Sequence, residues 1–476
     1  MKQKAVSLKS NIIYQILYQI LTLIVPLITS PYIARVLGKS GIGTYSYTYA
    51  IANYFVIFAM LGILNHGNRE IAKKKDDMQK CSQIFWDILL IHILVSIVVF
   101  VIYIIIVLSI FHEYKFISII QSLFIVSAIF DISWLYFGLE KFKMTTIVSC
   151  ANKILTTVLI FLLVKDGSDV PVYTAIIAGG TLFNNVIYWI FLKKHVALCK
   201  PNLSSALKQL KPLIVLFIPV IAVSVYKYMD KIMLGAMMTT ADVGIYEAAE
   251  KFINLPMCVI SALGTVMLPR ITNMRVNKEN KKIRQYNYIS MIFVLFASIG
   301  MTFGMAGITN IFIPWFYGVE FTEASSILLV LLPSIVFVSW ANVIRTQYLL
   351  PNGKDKFFCI SVVLGAIINL CVNALLIPSI GSVGAAIGTT IAEFVVSLVQ
   401  TVSARRGTDL KYYLKDSIPY LIAGLIMMEI ILTIHLSITF LTVIVRIIVG
   451  IVVYSMLSIF FIRRSVNKFK NWDLLE

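Results

Sequence analysis

Positive charge recurs in this chain with a period set by its apolar runs. A bilayer core of about 30 Å needs roughly 20 apolar residues of helix to cross it. Such runs are read at approximately 11–34, 42–65, 84–110, 115–138, 146–164, 171–192, 212–237, 243–268, 286–310, 322–350, 357–377, 383–403, 416–434 and 437–462. The basic residues fall into every second connection. They begin with Lys2, Lys4 and Lys9, then Arg69, Lys73, Lys74, Lys75 and Lys80, then Lys141 and Lys143, then Lys193, Lys194, Lys200, Lys208 and Lys211. They continue with Arg270, Arg275, Lys278, Lys281, Lys282 and Arg284, then Lys354 and Lys356, then Arg405, Arg406, Lys411 and Lys415, and end with Arg463, Arg464, Lys468 and Lys470. These are 31 of the 41 Lys and Arg; the other connections hold only Arg35, Lys39, Lys115 and Lys165. One missed helix would scramble the alternation. The positive-inside rule makes the basic side cytoplasmic and puts both termini there.

The chain is therefore expected to be an all-α polytopic membrane protein with about 14 transmembrane helices. Composition agrees: 59% of the residues are hydrophobic and 13% charged, against about 25% charged in soluble domains. The net charge of +18 needs no nucleic acid to explain it. Basic loops facing anionic headgroups account for it, at about 1 kcal/mol each. The first run is too long for a signal-peptide core, and Pro31-Tyr32-Ile33-Ala34-Arg35 is no cleavage pattern, so it is expected to stay in the mature chain. Six scattered cysteines, none in an outer connection, point to free thiols and no metal site. The outer connections are short, and no zinc-protease motif, hydrolytic triad or Gly-rich phosphate loop is present. A membrane enzyme of glycan assembly would need carboxylates or arginines there and is the least favoured class.

The text of the chain repeats. PLITSPYIARVLGKSGIGTYSYTYAI followed by LGILNHGNREIAKKK matches IPVIAVSVYKYMDKIMLGAMMTTADVGIYEAAEKF followed by LGTVMLPRITNMRVNK. The anchors pair in order: Pro26 with Pro219, Gly38 with Gly235, Gly43 and Tyr45 with Gly244 and Tyr246, Gly62 with Gly264, Arg69 with Arg270. Six runs separate the copies, so both enter the membrane from one side. This is a parallel repeat. It divides the chain into a six-helix lobe at 1–195, an interfacial linker helix at 196–211, a second six-helix lobe at 212–404, and a C-terminal helix pair with a basic tail at 405–476.

Through PYIARVLGKSGIGTYSY, WLYFGLEKFK with ANKI following, and YKYMDKIMLG…VGIYEAAEKF, the whole chain resembles the multidrug/oligosaccharidyl-lipid/polysaccharide flippase superfamily. The resemblance is nearest to Wzx-type polysaccharide flippases. It implies two lobes around a cationic cavity and alternating access. It implies an undecaprenyl-diphosphate-linked oligosaccharide moved from the inner to the outer leaflet of a bacterial cell membrane. It implies no cofactor. Coupling to H+ or Na+ and association with a polysaccharide polymerase are open under it. A cation exporter of the MATE type shares the fold and is the alternative.

Ionisable groups inside a membrane cost several kcal/mol and face a cavity or a partner. Lys227 and Lys231 share a helix face at i,i+4, where like charges repel; a diphosphate between them is one reading, and compensation by Asp230, Glu247 or Glu250 is the other. Lys153 is either a substrate cation or the partner of Asp131. Arg345 and Arg35, near run ends, complete the candidate substrate contacts. Glu393, Asp230, Glu247 and Glu250 are the candidate ion-coupling carboxylates. Glu429 and Arg446, at matching depth on antiparallel runs, read as a structural ion pair. The aromatic segment 313–318 reads as an interfacial belt.

Overall fold

The computed structural model describes residues 8–470. Lys2 and Lys4 lie outside these, as do the side chains of Lys9, Pro219, Lys468 and Lys470. Every regular element among the described residues is a helix, as expected where lipid offers the backbone no hydrogen bonds. Ten of the helices are long and apolar enough to cross a membrane. Two of those ten each hold two of the apolar runs. Helix α1 (Leu8–Met60) is broken at Gly38, whose φ of 64° and ψ of 179° only glycine adopts without strain. Helix α12 (Asp355–Ala404) is broken at Ile380 and Gly381, with φ 55° at the glycine. The chain forms two units, Met1–Gly235 and Ala236–Glu476.

The first unit adds α2 (Ile63–Lys74), α3 (Met78–Ile110), α4 (Lys115–Ile129), α5 (Ser133–Gly138), α6 (Phe142–Leu163), α7 (Val170–Ile190) and α8 (Leu203–Met237), the last crossing the boundary by two residues. Helix α3 starts at Asp77, whose carboxylate accepts the N–H groups of Gln79 and Lys80 at 3.1 Å. The Lys80 ammonium, 2.9 Å away, and those N–H groups hold the Asp77 carboxyl below the usual carboxylate range. Its basic-loop end packs with α2 and α5 around Phe85, Ile88, Trp134, Leu135 and Tyr136.

The segment expected as a linker helix at 196–211 is not one. Residues 196–202 are irregular backbone tied to α3: Ala197 N–H donates to Ser82 Oγ (2.9 Å), Trp86 Nε1 to Ala197 O (3.0 Å) and Asn202 N–H to Asp87 Oδ1 (2.7 Å). From Leu203 the chain joins α8 without interruption. Pro201 accounts for the extended start, because proline disfavours helix in the residue before it. Helix α8 also groups with the first unit up to Gly235, not with the residues that follow. It lies along the second half of α1. Phe58 meets Phe217 edge-on at 5.3 Å, the Tyr54 hydroxyl donates to the carbonyls of Ser224 and Val225, and a Cβ on Gly235 would sit 2.1 Å from the Tyr47 ring.

The second unit holds α9 (Thr240–Val276), α10 (Asn280–Tyr317), α11 (Ala324–Ile344), α12, α13 (Leu410–Leu432) and α14 (Thr439–Lys470). A Thr239–Asp242 capping box opens α9. The C-terminal pair α13 and α14 packs on α10 around Met427, Ile431 and Tyr454. At the basic-loop end Arg284 grips Asp409 through two bonds, Nη2 to Oδ1 at 2.7 Å and Nε to Oδ2 at 3.2 Å. Segment 313–317 belongs to the last turn of α10, and the chain turns only at Gly318. Phe312, Phe316 and Tyr317 stack around Phe252 of α9.

The contact of α2 with α5 depends on two glycines. A Cβ on Gly67 would lie 2.4 Å from the Trp134 ring, and one on Gly138 would lie 2.6 Å from Ile71. Gly67→Ala and Gly138→Ala should each lower stability by ~1–3 kcal/mol through overpacking. Gly179→Ala, with no atom within 4 Å of its Cβ, should be neutral or better. Thermal unfolding of the purified proteins in one detergent checks this, and a Gly67→Ala protein as stable as Gly179→Ala would refute it.

Candidate functional site

Two turns of α8 carry the ionisable cluster of the first unit. Lys227 and Lys231 stand at i,i+4, with Asp230 between them in sequence. The neighbours differ in burial. Asp230 is 3% exposed, Lys231 is half-buried, and Lys227 is exposed with its ammonium 5.3 Å from the centre of the Tyr228 ring. The second half of α1 supplies the facing groups. The Tyr49 side chain is hydrogen-bonded with Asn53 and lies within electrostatic reach of Tyr228, Lys227 and Lys231. Tyr54 meets Tyr228 edge-on at 6.1 Å and lies within electrostatic reach of Asp230. Helical rise puts Lys227 roughly 12 Å from Gly235 at the end of the helix, well inside an apolar run. The result is a pair of cations backed by tyrosine rings in a low-dielectric layer. Such a setting strengthens attraction to a multivalent anion and offers rings and hydroxyls to a polyhydroxylated neighbour.

The sequence analysis named Lys227, Lys231 and Asp230 together, and the structure does place them on one stretch of helix. It missed Tyr49, Asn53 and Tyr54. The i,i+4 spacing of Tyr45 and Tyr49 was a usable signal, but nothing in the sequence said which helix α1 would meet. The other candidates are dispersed. Arg35 is exposed near the end of the first half of α1, and Lys153 is half-buried in α6. In the second unit Arg345 begins the π-helical turn Arg345–Leu349 and lies 5.3 Å from the Phe358 ring centre. Glu247 pairs with Lys251 one turn on, at 3.6 Å. Glu250 and Glu393 are half-buried in α9 and α12.

Two expected ion pairs do not form. Asp131 accepts the N–H of Ser133 at 2.8 Å and starts the short helix α5, and Lys153 is not among its partners. A carboxylate that accepts a backbone N–H two residues on has a partner close by in sequence. Glu429 is exposed on α13, while Arg446 is 2% exposed and turned to backbone. Its guanidinium donates to the carbonyls of Ile434 (3.0 Å), Gly307 (2.7 Å) and Leu432 (3.2 Å) and lies 3.4 Å from His435 Nε2. The reason is local. Helix α13 ends at Leu432, its last carbonyls have no partner within the helix, and a planar fork of donors satisfies several of them at once.

A cleft of about 500 Å³ opens between α10, α13 and α14, lined by Met301, Gly304, Met305, Met427, Gly450 and Ile451 among others. Its lining is apolar, and the one guanidinium it reaches, Arg446, is committed to the carbonyls just named. It has no chemistry for a diphosphate.

The comparisons with known proteins come to the same class. A family model described as "Polysaccharide biosynthesis protein" matches residues 8–275. The chain is 24% identical over 414 residues to a protein named as an O-antigen transporter of Escherichia coli (strain K12), covering 85% of this chain and 98% of that one. It is 26% identical over 239 residues to the Haloferax volcanii protein named as a low-salt glycan biosynthesis flippase, covering 50% of each. Among solved structures, lipid II flippase MurJ in an inward closed conformation superposes with a TM-score of 0.79 at 19% identity, over 95% of this chain and all of that one. An inward-facing multidrug transporter of the MATE family gives 0.59 at 12% identity, over 83% and 99%.

Arg446→Met should destabilise the protein by ~1–3 kcal/mol, because it takes the donor from the buried Gly307 carbonyl and from those of Leu432 and Ile434. Glu429→Gln should change stability by less than about 0.5 kcal/mol. Detergent melting curves of the two variants decide between backbone capping and the ion pair; equal losses in both would restore the pair.

Proposed function

We propose, from the premise that this chain belongs to the polysaccharide biosynthesis protein family, that it is a Wzx-type flippase moving an undecaprenyl-diphosphate-linked oligosaccharide from the inner to the outer leaflet. The observation that carries the reading is the α8 cluster: an exposed lysine, a second lysine one turn on, and tyrosines against both. The named relatives are transporters and flippases, and none is named as an enzyme. An ammonium pair in an apolar layer has one efficient ligand, a compact polyanion that bridges it. Lys227 and Lys231 bind the diphosphate, and the glycan extends along the tyrosines. The binding energy offsets the cost of taking the headgroup out of water, and alternating access releases it at the other leaflet. Arg35, Lys153 and Arg345 are the secondary contacts at which the diphosphate enters and leaves.

The basic loops set the orientation in a bacterial cell membrane, with both termini in the cytoplasm and fourteen crossings. The half-buried carboxylates Glu250 and Glu393, with Glu247 beside Lys251 and the buried Asp230, are the groups through which H+ or Na+ would couple. A surface-polysaccharide polymerase is the expected consumer of the product.

A cation exporter of the MATE type has the same overall fold, but a pair of lysines repels its cargo. Lys227→Ala and Lys231→Ala should each reduce surface glycan at least about tenfold, the worth of one charge-assisted contact, with membrane abundance near that of the parent. Lys→Arg should keep part of the activity, since the charge stays and the shape changes. Abundance and surface glycan are read from the same cells. A fall in both together, restored by adding Asp230→Asn, would make the lysines structural and sink the assignment. Deletion should leave lipid-linked oligosaccharide on the cytoplasmic face.

A further inference from the structure

Five tyrosine rings run together beside the two lysines. On α1 beyond the Gly38 break, Tyr45 and Tyr49 are one turn apart and stacked, with centroids 5.6 Å apart and 11° between planes. Tyr173 of α7 meets Tyr45 edge-on at 4.8 Å. At the other end Tyr54 meets Tyr228, the ring under the Lys227 ammonium. Tyr49 stands between the two ends along α1, within electrostatic reach of Tyr228 and both lysines. From Tyr45 to Tyr54 the helix rises about 14 Å.

These rings differ from the packing tyrosines of the same unit. Tyr103 and Tyr136 are buried. All five members of the run are only half-buried. A half-exposed ring can meet a ligand, whereas a fully buried one cannot. A pyranose presents an apolar C–H face to a ring and hydroxyls to a phenol, which both donates and accepts. The length fits two or three sugar residues laid end to end from the lysines.

We propose that Tyr45, Tyr49 and Tyr173, with Tyr54 and Tyr228 at the lysine end, hold the sugars next to the diphosphate and read their identity. The inference rests on the flippase reading above. The lysines supply affinity for any prenyl diphosphate, and the rings discriminate between glycans.

The test uses full-length protein in nanodiscs and two probes: undecaprenyl diphosphate alone, and undecaprenyl diphosphate carrying a disaccharide. Tyr49→Leu removes the ring face and the hydroxyl, while Tyr49→Phe keeps the ring. Tyr49→Leu should weaken the glycosylated probe about fivefold, the worth of one aromatic contact, and leave the bare diphosphate within about twofold. Tyr49→Phe should lose less than Tyr49→Leu with the glycosylated probe and stay near the parent with the bare diphosphate. Because Tyr49 also packs on Phe124 at 5.1 Å, Tyr173→Leu repeats the comparison from another helix if Tyr49→Leu fails to fold. Equal weakening of both probes, or none in either leucine variant, would overturn the proposal while leaving the lysine site standing. A parent protein that binds neither probe would overturn the flippase reading and this inference with it.

Discussion

The constraint behind this structure is that a backbone in hydrocarbon must satisfy its own hydrogen bonds. Helices solve it along their length and leave it open at their ends and breaks. The chain closes those gaps with side chains from neighbouring helices. Arg446 takes the last carbonyls of α13 together with Gly307 of α10. Tyr136 donates to the Tyr188 carbonyl near the end of α7, and Trp189 to Phe130 at the end of α4. Each such bond also fixes which helix lies beside which. Satisfying the backbone and setting the helix neighbours are therefore one operation here.

The same constraint explains how charges in the apolar layer are handled. Most are absorbed locally. Asp131 serves a helix start, Arg446 a helix end, and Glu247 pairs with Lys251. Local absorption is cheap because the partner is already in place within a turn or across a packed face. Lys227 is exposed, with an aromatic ring beneath it. A cation–π contact offsets only about 1–2 kcal/mol, less than an ammonium loses on leaving water. That shortfall gives an anionic ligand its advantage at this position.

Much of the architecture could be read from the sequence, because it rests on hydrophobic length and on charge sidedness, which are local properties. The breaks at Gly38 and Gly381 fall in the predicted outer connections. Where the reading failed, the deciding partner was distant in sequence. The 196–211 segment shows helical spacing, yet its first half is held straight by Ser82, Trp86 and Asp87 of α3. The Glu429–Arg446 pairing matched by depth but overlooked the carbonyls of Leu432 and Ile434, where α13 ends. At the site, the lysines were visible as charges out of place. The tyrosines were not, since a Tyr in an apolar run looks like packing until its neighbours are known.

Glycines that pair in the sequence repeat serve different local structures. In the first copy Gly62, at φ 72°, separates α1 from α2, and α2 turns back to pack on α5 through Gly67. In the second copy Gly264 sits within an unbroken α9, where its missing side chain admits Asn342 and Thr346 of the α11 region. One glycine serves as a joint and the other as a close approach, since the absence of a Cβ permits both positive φ and tight contact. Gly38 and Gly235 split in the same way: the first breaks α1, and the second lets Tyr47 lie against α8. That last contact seats the second half of α1, with its tyrosines, along the helix that carries the lysines. A duplicated pattern of glycines thus yields two different local structures, and the difference assembles cations and rings at one place in the first unit.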